Sequence, residues 1–474
     1  MKFKTLPALF LIFLIAFQTN LKSQTEVFTL ESAIRTALHN NREVIIAKMN
    51  VEKSEAAVRE AFGYALPSVD VSGQFYHFLK KPKMSFPDFE ALLGNATYGI
   101  LFDEGVLPRD NSKFKPVNSI LQSFSQSNNF ETKVTLTQTL FNSAVFRGIG
   151  ASQIYLDLSK EELNRITAST ILSVKKAFYG VLLTKKLLEI TEASFSNAQE
   201  NLSNVKAYYQ QGFVSEYDML QSEVRVENIR PMVIQMRNTL DNAKNGLKLV
   251  LGIDQNTVID VSGELKYEKE IFPDEITAAA IAVENNYGIK ALYLKRQVDE
   301  EFIALDRSEY WPALYAFGNY SYAGSGEEWK FQTYSSAIVG LSLSMNLFSG
   351  TRTKNKVEQS TIGLLQTEQQ INQTKDKIAA GVKMKLHDLN RVESTIEAQE
   401  RNVNLAMRAY EIASVRYREG TGSQLEIQNA DVALQQARTN LLQSIYDYVI
   451  AKSELDELLG SIEDEYLDFI KNRN

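Results

Sequence analysis

The sequence predicts a mixed α+β membrane protein built by internal tandem duplication. Three observations predict it. The chain repeats itself at near-constant spacing, its long proline-free stretches carry seven-residue apolar stripes, and four segments of bilayer-crossing length alternate apolar with polar residues. A shift of 245 residues lays Asn40-Asn41 on Asn285-Asn286, Pro67 on Pro312 and Gly73 on Gly318. A shift of 207 lays Leu140-Phe141 on Leu347-Phe348. A shift of 208 lays Tyr209-x-x-Gly212-x-x-Ser215 on Tyr417-x-x-Gly420-x-x-Ser423, and Leu251-Gly252 on Leu459-Gly460. The fall from 245 to 207 places an insertion of 38 residues in the first repeat, between Gly73 and Phe141.

Residues 1–23 read as a secretory signal peptide: Lys2 and Lys4 are its charged part, Leu6 to Phe17 its apolar part, and Leu21-Lys22-Ser23 a cleavage site before Gln24. A membrane anchor is the other reading, and the run falls short of the ~20 apolar residues a spanning helix needs. No later run reads as long and apolar enough to span, so a mature chain that crosses a membrane must do so as a closed β-barrel. The chain has no cysteine, hence no disulfide and no thiol for lipid attachment. Its net charge of −7 argues against a broad nucleic-acid-binding surface.

The first repeat is placed at 24–252, with strands at about 68–79 and 130–141 and long helices at about 148–211 and 215–251. The second is placed at 253–460, with strands at about 312–322 and 334–348 and long helices at about 353–419 and 423–459. Residues 461–474 form a C-terminal tail. In the strands Val69, Val71 and Phe75 alternate with Asp70, Ser72, Gln74 and Tyr76, and Val339, Leu341, Leu343 and Met345 alternate with Gly340, Ser342 and Ser344. Tyr310, Trp311, Tyr315, Phe317, Tyr320 and Tyr322 suit an interfacial aromatic girdle. A soluble four-stranded sheet is the alternative, but two hairpins separated by helices make a poor independent core. Four strands cannot close a barrel within one chain, whereas three copies supply twelve.

The helices follow from composition. No proline occurs between Val117 and Arg230, or after Ala313. Val174, Val181, Leu188, Phe195, Leu202 and Tyr209 are spaced by seven, as are Val382, Leu389, Ile396, Val403, Tyr410 and Tyr417. Six heptads hold one contact line only if the helices supercoil. An ordinary two-stranded coiled coil would show the same stripes. Pro82, Pro87, Pro108 and Pro116 gather in the insertion, residues 77–129, which therefore reads as a loop without helix.

On these features the chain resembles the TolC-like outer-membrane efflux proteins along almost its whole mature length. The duplicated strand and helix hairpins carry the resemblance, with Tyr417-Arg418-Glu419-Gly420 before Ser423 and the closing Leu458-Leu459-Gly460. The resemblance implies a homotrimer. Its 12-stranded β-barrel takes four strands per chain, sits in outer-membrane lipid and continues as a long periplasmic α-helical barrel. It implies a passive exit duct for tripartite efflux or type I secretion, docked to a periplasmic adaptor (membrane fusion) protein and an inner-membrane pump. The turns Gly212-Phe213-Val214-Ser215 and Gly420-Thr421-Gly422-Ser423 correspond to the family's adaptor-docking, closed end. Tyr209, Tyr417, Asp218 and Glu426 fall at its periplasmic gate. Some members carry an arginine where this chain has Gly422, which puts a charge-paired lock there in doubt. From the residues alone these are helix turns, with glycine reversing the chain and serine capping the next helix.

No catalytic constellation is present, so no enzyme is expected. His39, His77 and His387 are scattered, no glycine-rich phosphate loop occurs, and neither cofactor nor metal is implied. Asn40-Asn41 and Asn285-Asn286 read as helix breaks with a fresh N-cap. The competing reading is a periplasmic coiled-coil scaffold or tether, which has no need of four bilayer-length strands.

Overall fold

A computed structural model describes residues 25–461 and Tyr466. The signal-peptide assignment at 1–23 and most of the tail lie outside the described residues. The chain divides into two compact units: residues up to Val58 with Ala151–Phe302 and those from Glu358 onward, and Arg59–Gly150 with Ile303–Val357.

In chain order the elements are β1 (Glu26–Phe28), α1 (Leu30–Asn40), α2 (Arg42–Gly63), β2 (Ser68–His77), β3 (Met84–Pro87), α3 (Phe89–Asp103), β4 (Ser119–Gln122) and β5 (Asn128–Phe141). There follow α4 (Ser143–Gln210), α5 (Glu216–Leu251), β6 (Ile259–Val261), α6 (Glu275–Asn285), α7 (Tyr287–Arg307), β7 (Ala313–Glu327), β8 (Lys330–Ser344), α8 (Arg352–Arg418) and α9 (Gln424–Leu459). The 68 residues of α4 give it a length of about 100 Å at ~1.5 Å per residue.

The first unit is helical and contains two matching cores. One gathers Ile34 and Leu38 of α1, Val174, Phe178 and Val181 of α4, and Leu247 and Leu251 of α5, with the parallel pair β1–β6 beside them. The other gathers Ala278 and Ala282 of α6, Ile289 of α7, Val382, Leu389 and Ile396 of α8, and Leu455 of α9. The heptad stripes are thus core along part of each helix. Toward the turns they emerge: Leu188, Phe195 and Leu202 are half-buried against Val226, Ile229 and Val233, and Tyr209 is 39% exposed. One 18-residue stretch of α4 is apolar enough by length and composition to cross a membrane, which the sequence reading denied. Half of it is buried, and α4 puts Val174, Phe178 and Val181 into the first core, so its apolar character belongs to packing.

The same joint recurs in both copies. Gly252 ends α5 with φ +71°, and Gly460 ends α9 with φ +70°. Each abuts an Asn-Asn break: a Cβ on Gly252 would lie 2.3 Å from the Asn40 carbonyl oxygen, and one on Gly460 2.4 Å from that of Asn285. The second asparagine of each pair caps its helix with Oδ1, which accepts from Glu43 N–H or Gly288 N–H at 2.9 Å. Its Nδ2 donates across the joint, Asn41 to Val250 O (2.9 Å) and Asn286 to Leu458 O (3.1 Å). A side-chain amide with both functions suits this place.

The second unit is built on a four-stranded antiparallel sheet of order β2-β5-β7-β8. One row of partners reads Val69, Leu136, Gly318, Val339 and the next row on that face Val71, Val134, Tyr320, Ala337. The opposite face carries Asp70, Thr135, Asn319, Ile338 and then Ser72, Lys133, Ser321, Ser336. One face is therefore apolar and the other mostly polar, the pattern of a strand set between lipid and water. Tyr315 and Phe317 lie on the face opposite Tyr320 and Tyr322, so the six expected girdle aromatics do not share one face. Phe317 instead lies over Gly340, and Phe130 over Gly324.

The insertion contains a helix, against expectation. Asp88 caps α3, its Oδ1 accepting from the N–H groups of Glu90 and Ala91 at 3.1 Å, and Gly105 at φ +69° follows its end. The prolines flank the helix and do not interrupt it: Pro87 precedes the cap and Pro108 follows the stop. Paired β3 and β4 and a two-way bond between Asn95 and the Lys115 backbone (2.7 and 2.8 Å) hold it in place. Lys81 and Ser127, at the base of the insertion, both reach Glu327 at the β7–β8 turn.

Candidate functional site: the helix turns of the two hairpins

Both turns are made by a glycine in the left-handed region followed by a serine cap. At the α4–α5 turn Gly212 has φ +76°, its N–H bonds Tyr209 O (2.9 Å), and Phe213 N–H bonds Tyr208 O (2.9 Å). Phe213 is 74% exposed and Val214 is half-buried. At the α8–α9 turn Gly420 has φ +70°, and the N–H groups of Thr421 and Gly422 both reach Arg416 O (2.9 and 3.0 Å). Gly422 is tight: a Cβ there would sit 3.0 Å from Arg416 Cβ and 3.1 Å from Tyr417 N. The position that an arginine would need for a charge-paired tie is thus packed against its own helix end.

The two acidic residues of the expected gate share a helical position but not a chemical setting. Asp218 closes a capping box: Ser215 Oγ accepts from Asp218 N–H (3.2 Å), while Asp218 Oδ2 accepts from Ser215 N–H (3.2 Å) and Ser215 Oγ (2.6 Å). Ser423 Oγ likewise accepts from Glu426 N–H (3.2 Å), but the Glu426 carboxylate turns to Arg416 at 3.3 Å. Tyr417 lies with its hydroxyl buried and without a hydrogen-bond partner among the described residues. Burial, then the negative charge of Asp218 and the proximity of Tyr208, push that phenol above its ordinary value.

Deeper along the hairpins lies a polar cluster that sequence reasoning missed. Gln424, 5% exposed, donates from Nε2 to Asn201 Oδ1 (2.7 Å) and Ser222 Oγ (3.2 Å). Asp431 Oδ2 accepts from Ser194 Oγ (3.1 Å) and pairs with Arg225 Nη2 (3.1 Å). Burial and then the charge of Asp431 raise Tyr410, which lines the same small cavity of about 40 Å³. The available signal was that Gln424 and Asp431 are seven apart, polar residues on a seam where apolar ones are expected.

Among the described residues no cluster of histidine, aspartate and glutamate suits a metal ion. The three histidines lie apart: His39 meets Asn40, His77 meets Asn128 and His387 meets Glu275.

A four-stranded sheet with one apolar face, and two long helical hairpins with glycine-serine turns, are the elements of an outer-membrane channel with a helical extension. The chain belongs to the outer membrane efflux protein family, whose pattern it matches over residues 86–253 and 279–461. It is 22% identical over 351 residues to outer membrane protein TolC of Salmonella enteritidis, covering 72% of this chain and 71% of that one. It is also 22% identical over 345 residues to the alkaline protease secretion protein AprF of Pseudomonas aeruginosa, covering 72% of each. The CmeC outer membrane channel of Campylobacter jejuni shares the fold, with a TM-score of 0.71 at 15% identity over 94% of this chain and 90% of that one. The protein is an outer-membrane exit duct for efflux or secretion, a passive channel with a periplasmic extension and not an enzyme.

Proposed function

We propose that three copies of this chain form the duct, each giving four strands to one 12-stranded barrel and two long hairpins to one helical tunnel. One observation carries the reading: β2 and β8 are the two edges of the sheet, and each bonds a neighbour on one side only. An open strand edge in hydrocarbon leaves N–H and C=O groups unsatisfied at several kcal/mol each, so the edges must meet other chains. Val339 at 87% and Leu341 at 68% exposure are lipid-facing residues in that arrangement. A soluble tether gains nothing from such a sheet.

The partners are outer-membrane lipid, a periplasmic adaptor and an inner-membrane pump of the tripartite efflux or type I secretion kind. The efflux description of the family and the relative named for alkaline protease secretion support this assignment. We place adaptor docking at Gly212-Phe213-Val214-Ser215 and Gly420-Thr421-Gly422-Ser423, where Phe213 offers an exposed ring. Tyr209, Tyr417, Asp218 and Glu426 line the narrow end. The insertion lies at the extracellular mouth, because it joins β2 to β5 at the end of that hairpin away from α2 and α4.

The test is the mass of the detergent-extracted protein together with conductance in planar bilayers. A trimer that opens long-lived channels is expected. A stable monomer, or a trimer without conductance, overturns the proposal.

A further inference from the structure

The insertion between β2 and β5 turns an apolar helix face to water. Along α3, Ala91, Asn95, Tyr98 and Phe102 recur at the period of a helix and make its inward face. Ala91 is 2% exposed, and Asn95 bonds the Lys115 backbone. The Phe102 ring lies 5.9 Å from Tyr98 and 5.9 Å from Phe114 between centroids. Phe89, Leu93, Ala96 and Ile100 recur at the same spacing two residues away, which puts them on the opposite face. All four are exposed, Leu93 at 63% and Ile100 at 64%. A surface helix ordinarily carries charge on that face. Here Glu90 and Asp103 are the only charged residues of the 15, and both stand near the helix ends.

We propose that this face is a contact between copies: the three α3 helices of the trimer pack against one another on its axis and cap the outer mouth of the duct. This rests on the duct reading above. Three observations select this occupant. The steps of four, three and four residues from Phe89 to Ile100 are those of a seam between helices. A helix lying in a lipid surface carries lysine or arginine on its polar face, and α3 has neither. The insertion issues from β2, an edge of the sheet, so in a trimer it starts at the boundary with the next copy. The dimensions agree. Twelve strands ~4.8 Å apart and tilted by ~40° close a ring about 24 Å across. Three helices ~10 Å thick, packed side by side, fill about 22 Å of it. At ~1.5 Å per residue the 15 residues of α3 extend about 22 Å, enough to pass the centre of the ring. Four apolar side chains per helix make a contact that outgoing cargo can part and that bulky solutes outside must first break.

The chain's lack of cysteine makes the test clean. Ile100→Cys places one thiol per copy on the seam. With copper phenanthroline as oxidant, two of three thiols on an axis can pair and the third stays single. The expected product on intact cells is a covalent dimer and no larger species, with one chain in three unlinked. Lys113→Cys, exposed but off the helix, should lose this pairing. Separately, Ser321→Cys puts a thiol on the polar face of the sheet, which lines the lumen in the duct reading. A maleimide on a bulky polymer, added outside the cells, should label it slowly. Leu93→Asp with Ile100→Asp should speed that labelling at least about tenfold, because burial of one leucine already accounts for a decade. Detergent mass checks that each variant is a trimer. If the double variant fails to assemble, Ile100→Cys decides alone. A trimer in which Ile100→Cys never pairs, as expected of a helix lying in the outer leaflet, overturns the cap. Bulky labelling that ignores the double variant overturns it too. A monomer from the unaltered chain would instead overturn the duct.

Discussion

Four glycines share one backbone conformation and differ in their surroundings, so alanine at each separates strain from crowding. Gly212 and Gly420 have φ of +76° and +70° with nothing within 4 Å of a built Cβ. Alanine there should cost only the left-handed penalty, about 1–2 kcal/mol. Gly252 and Gly460 have φ of +71° and +70°, but their Cβ would meet backbone. At Gly252 the contacts are 2.3 Å to Asn40 O, 2.6 Å to Asn40 C and 2.9 Å to Asn41 N. Backbone cannot swing aside as a side chain can. The α1–α2 break must part from the end of α5, which stretches the Asn41 Nδ2 to Val250 O bond of 2.9 Å. Losing it adds about 1 kcal/mol, and the clash itself places Gly252→Ala above ~4 kcal/mol, in the exceptional class. The assay is heat-induced loss of helicity in detergent at one fixed scan rate, since unfolding of such an assembly is governed by rate. Gly252→Ala and Gly460→Ala should fall together and well below Gly212→Ala and Gly420→Ala. Four equal drops would show that the close approach carries no energy.

Asn41→Ala and Asn286→Ala each remove a cap and a cross-joint bond, and should destabilise by about 1–2 kcal/mol in the same assay; a neutral effect would deny the joint its function. Asp218→Ala with Glu426→Ala should weaken block by a trivalent cation added from the periplasmic side of a planar bilayer, because the proposed trimer would bring up to six carboxylates near one axis. An unchanged block would show that these groups spend their charge on the capping box and Arg416, as within the single chain. Protease applied to intact cells should cut within 104–118, the irregular arm between α3 and β4, before any long helix, and cleavage only after permeabilisation would move the insertion to the other side of the membrane.

Much of the fold was legible because duplication doubles the signal. The long helices follow from seven-residue stripes, and Val174, Val181, Val382, Leu389 and Ile396 are indeed core. The strand ends were less legible. The alternation that runs on through Met345 and Leu347 carries the expected last strand to 334–348, yet β8 spans Lys330–Ser344. Its ladder stops at Ser344 because its partner β7 starts at Ala313, directly after Pro312, which has no N–H to offer. Its start was hidden because Glu328 and Trp329 make the hairpin turn with φ of +49° and +64° without the usual Asn-Gly signature. The helix in the insertion was missed because its prolines were read as breakers when they mark its borders. The glycine-serine turns could be read one residue at a time. The buried polar cluster could not, since only the packed hairpins show that Asn201, Ser222 and Gln424 meet.

The two copies agree at the joints and diverge at the turns. Both joints use an asparagine with the same two bonds and a glycine with the same close approach, at distances within a few tenths of an ångström. A joint of that kind leaves no room for a side chain, because a Cβ on either glycine would meet the backbone of the Asn-Asn break. At the turns the copies part: Asp218 bonds its own cap, whereas Glu426 bonds Arg416, and Gly422 stands where the first copy has Val214. Packing thins toward the turns, where Tyr209 is 39% exposed and the polar Asp431 is buried between the hairpins. Each hairpin is therefore held at one end by a close-packed joint and at the other by polar contacts to its neighbour. Motion admitted by this distribution is bending of the hairpins about the joints, which puts the largest displacement at the turns where adaptor and gate are proposed to lie.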